Sequence, residues 1–137
     1  ELQTEPDLLM FDGSGRIHYR QAGIATHCGV LFDTASVGVA KNLLCGDVKE
    51  TRMEEGERRP ITADESVNTV KDTVIGQAYQ SKQYRNRKVN PLYISPGHKI
   101  DVPTSTDIIE RYCDTYKLPE PIRKADKKAT EAKHEYQ

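Results

Sequence analysis

An unbroken apolar run at residues 8–11 ends in a carboxylate and a glycine turn. Such a run is typical of a strand covered on both faces of a sheet, and Asp12 follows it directly. Gly13 and Gly15 then permit backbone conformations that let another group approach closely. Because α/β sheets bind ligands beyond the carboxyl ends of their strands, Asp12 is a candidate functional residue.

The next segments alternate between helix and strand patterns. Residues 24–32 are predicted to form a helix, and residues 36–40 a second buried strand that ends at Lys41. Two strands joined through a helix form a right-handed parallel crossover, so both strands end at the same edge of the sheet. We therefore predict an α/β domain in which Asp12 and Lys41 lie close together.

The middle of the chain is more polar. Residues 47–68 are charged and poor in large apolar side chains, which predicts a solvated loop or an edge hairpin. Strand patterns return at residues 70–78 and 91–95, and the second of these is predicted to run into a turn at Pro96, Gly97 and His98.

The last third of the chain has helical spacing. Apolar positions in residues 104–116 recur as in a helix, with Thr104 or Ser105 as its N-cap. Residues 122–137 are rich in Lys, Glu and Ala, which indicates an exposed helix or a frayed end. We therefore predict one domain at residues 1–121 and a charged tail at 122–137.

Composition narrows the classes of protein. A chain of 137 residues fits one domain, and its net charge of −1 gives no overall basic signal for nucleic acid. The three cysteines, Cys28, Cys45 and Cys113, form no CxxC pair, which argues against a zinc site and favours the cytoplasm. No apolar stretch reaches the roughly 18 residues of a membrane span, so no membrane partner is expected.

The glycine turn admits three interpretations. Gly13 and Gly15 match the first two glycines of a dinucleotide fingerprint, but His18 stands at the third position and Asp12 would repel a phosphate. Asp12 also suits a hard divalent ion such as Mg²⁺, which can hold a phosphate oxygen and an attacking water. A carboxylate that only caps the turn fits the local sequence equally well.

Longer motifs separate these interpretations. Residues 118–123 (LPEPIR) resemble the LPEPxR ending of the endonuclease V family, and four earlier segments resemble that family's motifs in the same order. These four segments are residues 12–20 (DGSGRIHYR), 23–30 (GIATHCGV), 37–41 (VGVAK) and 91–98 (PLYISPGH). The resemblance implies an RNase H-like mixed sheet flanked by helices. It also implies Mg²⁺- or Mn²⁺-dependent nicking of DNA or RNA at the second phosphodiester 3′ to a deaminated base, chiefly inosine.

The resemblance also implies roles in catalysis for three residues. Asp12 matches a metal ligand of the family. His98 matches a histidine near the metal, where it would position the water nucleophile or contact the scissile phosphate. Lys41 matches a lysine that would stabilise negative charge on that phosphate.

Four further residues match substrate-binding positions. Gly13 and Gly15 match glycines that line the pocket for the extruded base. His18 matches a motif histidine that binds substrate or braces the loop, and Arg20 would contact a backbone phosphate.

Two departures from the family pattern matter. Tyr19 stands where the family has a proline, so a more flexible loop is expected. The family's N-terminal half is not matched, and with it go two carboxylates of the metal site and the first strands of the sheet. We therefore expect weak Mg²⁺ binding, little or no activity of these 137 residues alone, and an exposed sheet edge open to self-association. The alternative is a non-catalytic module that binds modified nucleic acid or a protein partner.

Overall fold

The computed structural model describes residues 3–136, which form a five-stranded mixed sheet and three helices. The sheet has the order β1-β2-β5-β4-β3, in which β1 and β2 are parallel and the other neighbours antiparallel. The elements are β1 (Leu8–Asp12), α1 (Ile24–Leu31), β2 (Ala35–Ala40), β3 (Arg58–Thr62), β4 (Val74–Tyr79), β5 (Leu92–His98), α2 (Val102–Tyr112) and α3 (Glu120–Glu135).

The parallel crossover β1-α1-β2 is confirmed. Asp12 pairs with Val39, so both strands end at the same edge, and Lys41 follows the last residue of β2. The expectation that residues 8–11 are covered on both faces is wrong, because these side chains are only half-buried. Strand β1 is the outer strand of the described sheet, and only β2 pairs with it.

Strand β5 is longer than predicted. It continues through Pro96 and Gly97 to His98, which pairs with Ser36 of β2, so the predicted turn is wrong. The pairing shifts register between Ser36 and Val37, and such an irregularity admits a proline that cannot donate to the ladder.

The charged middle contributes to the core. Strand β3 lies at the edge of the described sheet, where it pairs with β4, and its last residue, Thr62, also forms an isolated antiparallel bridge with Asp47. The expectation of a fully solvated segment is wrong for Met53, Ile61 and Val67, which are buried in one apolar cluster with Ile17 and Ile75. Ala63 of the same segment also belongs to this cluster, and the half-buried Val48 packs against it.

Strand β4 begins at Val74, four residues later than predicted. The delay follows from a turn in which Asp72 adopts a left-handed backbone conformation with φ of 67°. In this turn Asp72 N donates to Ala63 O, and Ala63 N donates to Thr73 O. Val70 is 78% exposed, so its apolar side chain does not mark the start of the strand.

Helix α2 is capped by Asp101, and the predicted caps Thr104 and Ser105 are wrong. The Asp101 carboxylate accepts a hydrogen bond from Thr104 N at 2.8 Å, and Pro103 lies in the first turn, where its missing N–H is tolerated. Ser105 is buried inside the helix instead, and its hydroxyl donates to Asp101 O.

Helix α3 confirms the exposed-helix prediction beyond its first turn. Ile122 is the one buried side chain in the helix, at 2% exposure, and every residue from position 124 to 136 is exposed. The proposed division after residue 121 falls inside this helix and stays a prediction.

The two faces of the sheet carry different packing. On one face, Val37, Val39, Leu92 and Ile94 pack with Ile109 of α2. On the other face lie α1 and the glycine turn after β1. Within residues 3–136, no helix combines the length and apolar character needed to cross a membrane.

Candidate functional site

The glycine turn after β1 lies flat against the sheet. Gly13 N donates to Val39 O at 2.9 Å, and Gly15 N donates to the buried Ser95 Oγ at 2.9 Å. A Cβ atom at Gly38 would lie 2.6 Å from the Gly13 carbonyl oxygen, so only glycine lets the turn cross β2 this closely. The turn is thereby fixed across three strands, and it begins at Asp12.

Lys41 and Asp126 lie at the edge where β1 and β2 end. The Lys41 Nζ atom is 3.8 Å from Asp126 Oδ2, and both side chains are 48% exposed. Helix α3, which carries Asp126, contacts β1, whose last residue is Asp12. The structure therefore places Asp12, Lys41 and Asp126 at one accessible side of the molecule, formed by the ends of β1 and β2 and the second turn of α3.

Asp126 was not predicted from the sequence. It lies in the charged segment that we assigned to a tail, where one carboxylate among many carries no distinguishing pattern. The signal that would have found it is its position three residues after the LPEPIR segment, inside the helix that this segment begins.

His98 lies at the opposite end of the strands from Asp12. Since β5 is antiparallel to β2, His98 pairs with Ser36, whereas Asp12 pairs with Val39. Three residues of strand correspond to about 10 Å, and β2 lies between the two. The structure therefore does not bring His98 to Asp12.

An ion-pair cluster occupies the His98 end of the strands. The His98 Nε2 atom is 3.2 Å from Asp33 Oδ1, and Lys99 Nζ is 2.8 Å from the same oxygen. Hydrogen bonds from Lys99 and then His98 lower the pKa of the exposed Asp33 carboxyl. These contacts give His98 a role in tying β5 to Asp33, two residues after the end of α1.

The predicted substrate-binding residues His18 and Arg20 share one turn. The His18 Nδ1 atom lies 3.1 Å from Arg20 N and accepts its hydrogen bond, so His18 braces its own turn. The Arg20 side chain is exposed. Tyr19, in the place of the family proline, anchors the turn: its carbonyl accepts from Asn68 N at 2.7 Å, and its hydroxyl lies 3.4 Å from Leu44 O.

Gly13 and Gly15 serve the packing of the turn. Both of their N–H groups already donate within the protein, and Gly15 is buried against the carbonyl of Pro96. For a ligand, the contribution of these glycines is that it can approach the backbone near Asp12 closely.

The carboxylates at the edge fit part of a metal site. Asp12 and Asp126 supply the hard oxygen ligands that Mg²⁺ and Mn²⁺ prefer. In the part of the chain that the structure describes, no group of three or more His, Cys, Asp or Glu side chains is placed to hold a metal ion. Two carboxylates would leave most of the coordination to water.

Comparisons with known proteins agree on one family. The family model for endonuclease V matches residues 1–127. The chain is 57% identical to the endonuclease V of Haloarcula marismortui, over 97% of this chain and 51% of that protein. The chain thus spans about half the length of the curated relatives it matches.

Solved structures give the same result. Endonuclease V from Bacillus subtilis superimposes with a TM-score of 0.85 at 31% identity, covering 99% of this chain and 54% of that one. The Ciona intestinalis enzyme, bound to DNA containing an inosine followed by a ribo-adenosine, has a TM-score of 0.78 at 31% identity, covering 97% and 57%. The predicted RNase H-like mixed sheet flanked by helices is confirmed, and the chain belongs to the endonuclease V family.

Proposed function

We propose that this chain forms one side of the active site of a metal-dependent DNA-repair endonuclease that hydrolyses a phosphodiester 3′ to a deaminated base, inosine. One observation carries the proposal. Asp12 and Lys41 lie at the edge where two parallel strands end, and Asp126 pairs with Lys41 there, an arrangement suited to receiving a phosphate.

The two carboxylates have the ligand role in this proposal. Asp12 and Asp126 would hold Mg²⁺ or Mn²⁺, which when bound polarises a phosphate oxygen and activates water. Since two protein ligands hold such an ion weakly, the affinity of this chain alone is low.

Lys41 supplies the positive charge for the scissile phosphate. Its ammonium group is accessible, and Asp126 keeps it at the strand edge. A preorganised cation at this point stabilises the charge that builds up during phosphoryl transfer. His98 has no part in this set because it lies at the other end of the strands.

The glycine turn and Arg20 are the proposed substrate contacts. The flat turn at Gly13 and Gly15 allows an extruded base to come close to Asp12. Arg20, exposed on the next turn, would meet a backbone phosphate while His18 braces that turn. The Ciona relative bound to inosine-containing DNA supports this substrate class.

The test is a chimera in which this chain replaces the matching half of the Haloarcula marismortui protein. The chimera is expected to nick an inosine-containing duplex in Mg²⁺. Asp12→Asn should lower the rate at least about a hundredfold, because the carboxylate ligand is lost, and Lys41→Gln should lower it by a similar factor. Asp72→Asn, at an exposed carboxylate in the turn before β4, is the matched control and should keep the rate.

Nicking that survives Asp12→Asn would overturn the proposal. The 137-residue chain alone should show weak nicking or none, so robust nicking would contradict the expected weakness of its metal site. The alternative, a non-catalytic binding module, requires tight binding of inosine-containing DNA that is insensitive both to chelator and to Asp12→Asn.

A further inference from the structure

A cavity of about 380 Å³ opens beside Lys41, on the side facing α3. Its volume falls within the range of about 300–1,000 Å³ that is usual for ligand sites. Cationic and aromatic side chains dominate its wall, which is formed by Lys41, Tyr84, Arg87, Val89, Tyr116, Lys117, Leu118 and Arg123.

The cavity carries an excess of positive charge. Of its four cations, Lys41 is paired with Asp126 and Arg123 with Glu120, at 3.8 and 2.6 Å. Arg87 and Lys117 have no carboxylate partner within 4 Å among residues 3–136. Burial, and then the charge of Lys41, lower the pKa of the Lys117 ammonium. An anion in the cavity would relieve this repulsion.

Two arginines are stacked on the cavity's tyrosines. The Arg123 guanidinium lies 3.5 Å from the centre of the Tyr116 ring, and the Arg87 guanidinium lies 5.1 Å from that of Tyr84. Stacking holds each guanidinium in place while its N–H edge remains able to bind phosphate. The two tyrosines are still about half exposed.

We propose that this cavity is a strand-binding subsite that takes one nucleotide of single-stranded nucleic acid next to the scissile phosphate. Arg87 and Lys117 bind its phosphate, and its base stacks on Tyr84 or Tyr116. The placement next to the scissile phosphate rests on the proposed function of Lys41, which lines both sites.

The chemistry selects a nucleotide over other anions. A phosphate ion would bind the cations but make no contact with the tyrosine rings. An acidic peptide offers carboxylates to the cations but no flat ring to stack on the tyrosines. Basic grooves with aromatic stacking platforms are the usual means of binding single strands without sequence preference. The basic segment at residues 82–88 supplies both Tyr84 and Arg87.

The first test measures the affinity of the 137-residue chain for a short fluorescent single-stranded DNA without inosine, in EDTA, at several salt concentrations. Arg87→Gln and Lys117→Gln should each weaken binding about five- to tenfold and reduce the salt slope by about 0.7, the value for one phosphate contact on a single strand. The matched control, Arg85→Gln, removes the same charge from the same segment outside the cavity and should change binding less than about twofold. Equal losses for Arg85→Gln and Arg87→Gln would overturn the proposal.

The second test addresses the stacking. Tyr84→Leu with Tyr116→Leu should weaken binding of the base-bearing strand about five- to a hundredfold, and of an abasic strand far less. An equal effect on both strands, or no effect, would overturn the stacking contact. Displacement of the DNA by poly-glutamate at equal charge concentration would overturn the nucleotide assignment in favour of an acidic protein partner.

These measurements need neither metal nor inosine. Failure of the catalytic proposal would appear as nicking that ignores Asp12, with strand binding intact. Failure of the subsite would appear as binding that ignores Arg87 and the tyrosines, with Asp12-dependent nicking intact.

Discussion

Cys113 ends helix α2 with its thiol turned into the protein. Its Sγ atom lies 3.6 Å from Lys117 O, and it packs against the cluster that contains Ile109. Burial, and then the charge of Glu110, raise the pKa of this thiol from 9.0 to about 11. Because the folded-state pKa is the higher one, the thiol stabilises the fold fully below pH 9 and loses this contribution as pH rises through about 11.

We predict that the melting temperature falls between pH 9 and pH 11, and that Cys113→Ala makes this fall shallower. Thermal unfolding followed by circular dichroism at a series of pH values measures both. The control Cys28→Ala should keep the slope of the wild type. A Cys113→Ala variant with an unchanged slope would contradict the prediction.

Single residues also show which parts of the site could be predicted from the sequence. Asp12 and Lys41 could be placed together because a right-handed crossover puts the ends of parallel strands at one edge. The position of His98 could not be predicted, because the sequence pattern of residues 91–95 indicates a strand but not the direction of that strand in the sheet. Asp126 could not be predicted because it is one carboxylate in a charged run, and only the course of helix α3, which begins within the LPEPIR segment, brings it to Lys41.

Helix α3 is anchored at one end. Ile122 is buried in its first turn, and residues 124–136 are exposed. We predict that Ile122→Ala lowers the free energy of unfolding by about 2–5 kcal/mol through the loss of buried surface and the cavity left behind. Removal of residues 129–137 should lower it by less than about 0.5 kcal/mol, as expected for exposed surface. Urea denaturation measures both changes, and a deletion as costly as Ile122→Ala would show that the helix is held along its length.

The elements themselves were predictable where the pattern was local. The apolar spacing of α2 and the apolar run of β2 reflect burial that recurs every few residues, although α2 spans residues 102–112 and not the predicted 104–116. The start of β4 and the extension of β5 were not predictable, since one depends on the left-handed Asp72 and the other on a register shift opposite Pro96. Both are consequences of contacts between segments distant in the chain.

The whole molecule exposes apolar surface beside an open sheet edge. Strand β1 has one neighbour in the described sheet, and α1, which packs on it, leaves Val30, Leu31 and Phe32 between 57% and 76% exposed. Open edges and contiguous apolar patches both favour association.

We predict that the 137-residue chain self-associates through this side. Light scattering should show an average mass that rises with concentration. Leu9→Lys should shift the mass towards that of one chain, because a charge on an edge strand opposes pairing. Val70→Lys, at an exposed position outside the sheet, is the control and should leave association unchanged. A constant mass of one chain at all concentrations would contradict the prediction.

The position of β5 governs the order in which the molecule can be assembled. In the described sheet, strands β1 and β2 form one hydrogen-bonded pair and β3 and β4 another, and β5 joins the two. A nascent chain that stops before residue 92 therefore lacks the strand that joins these two pairs into one sheet. During synthesis on a ribosome, the five-stranded sheet can form only after residues 92–98 have emerged. The insertion of β5 between β2 and β4 is therefore a late step of folding.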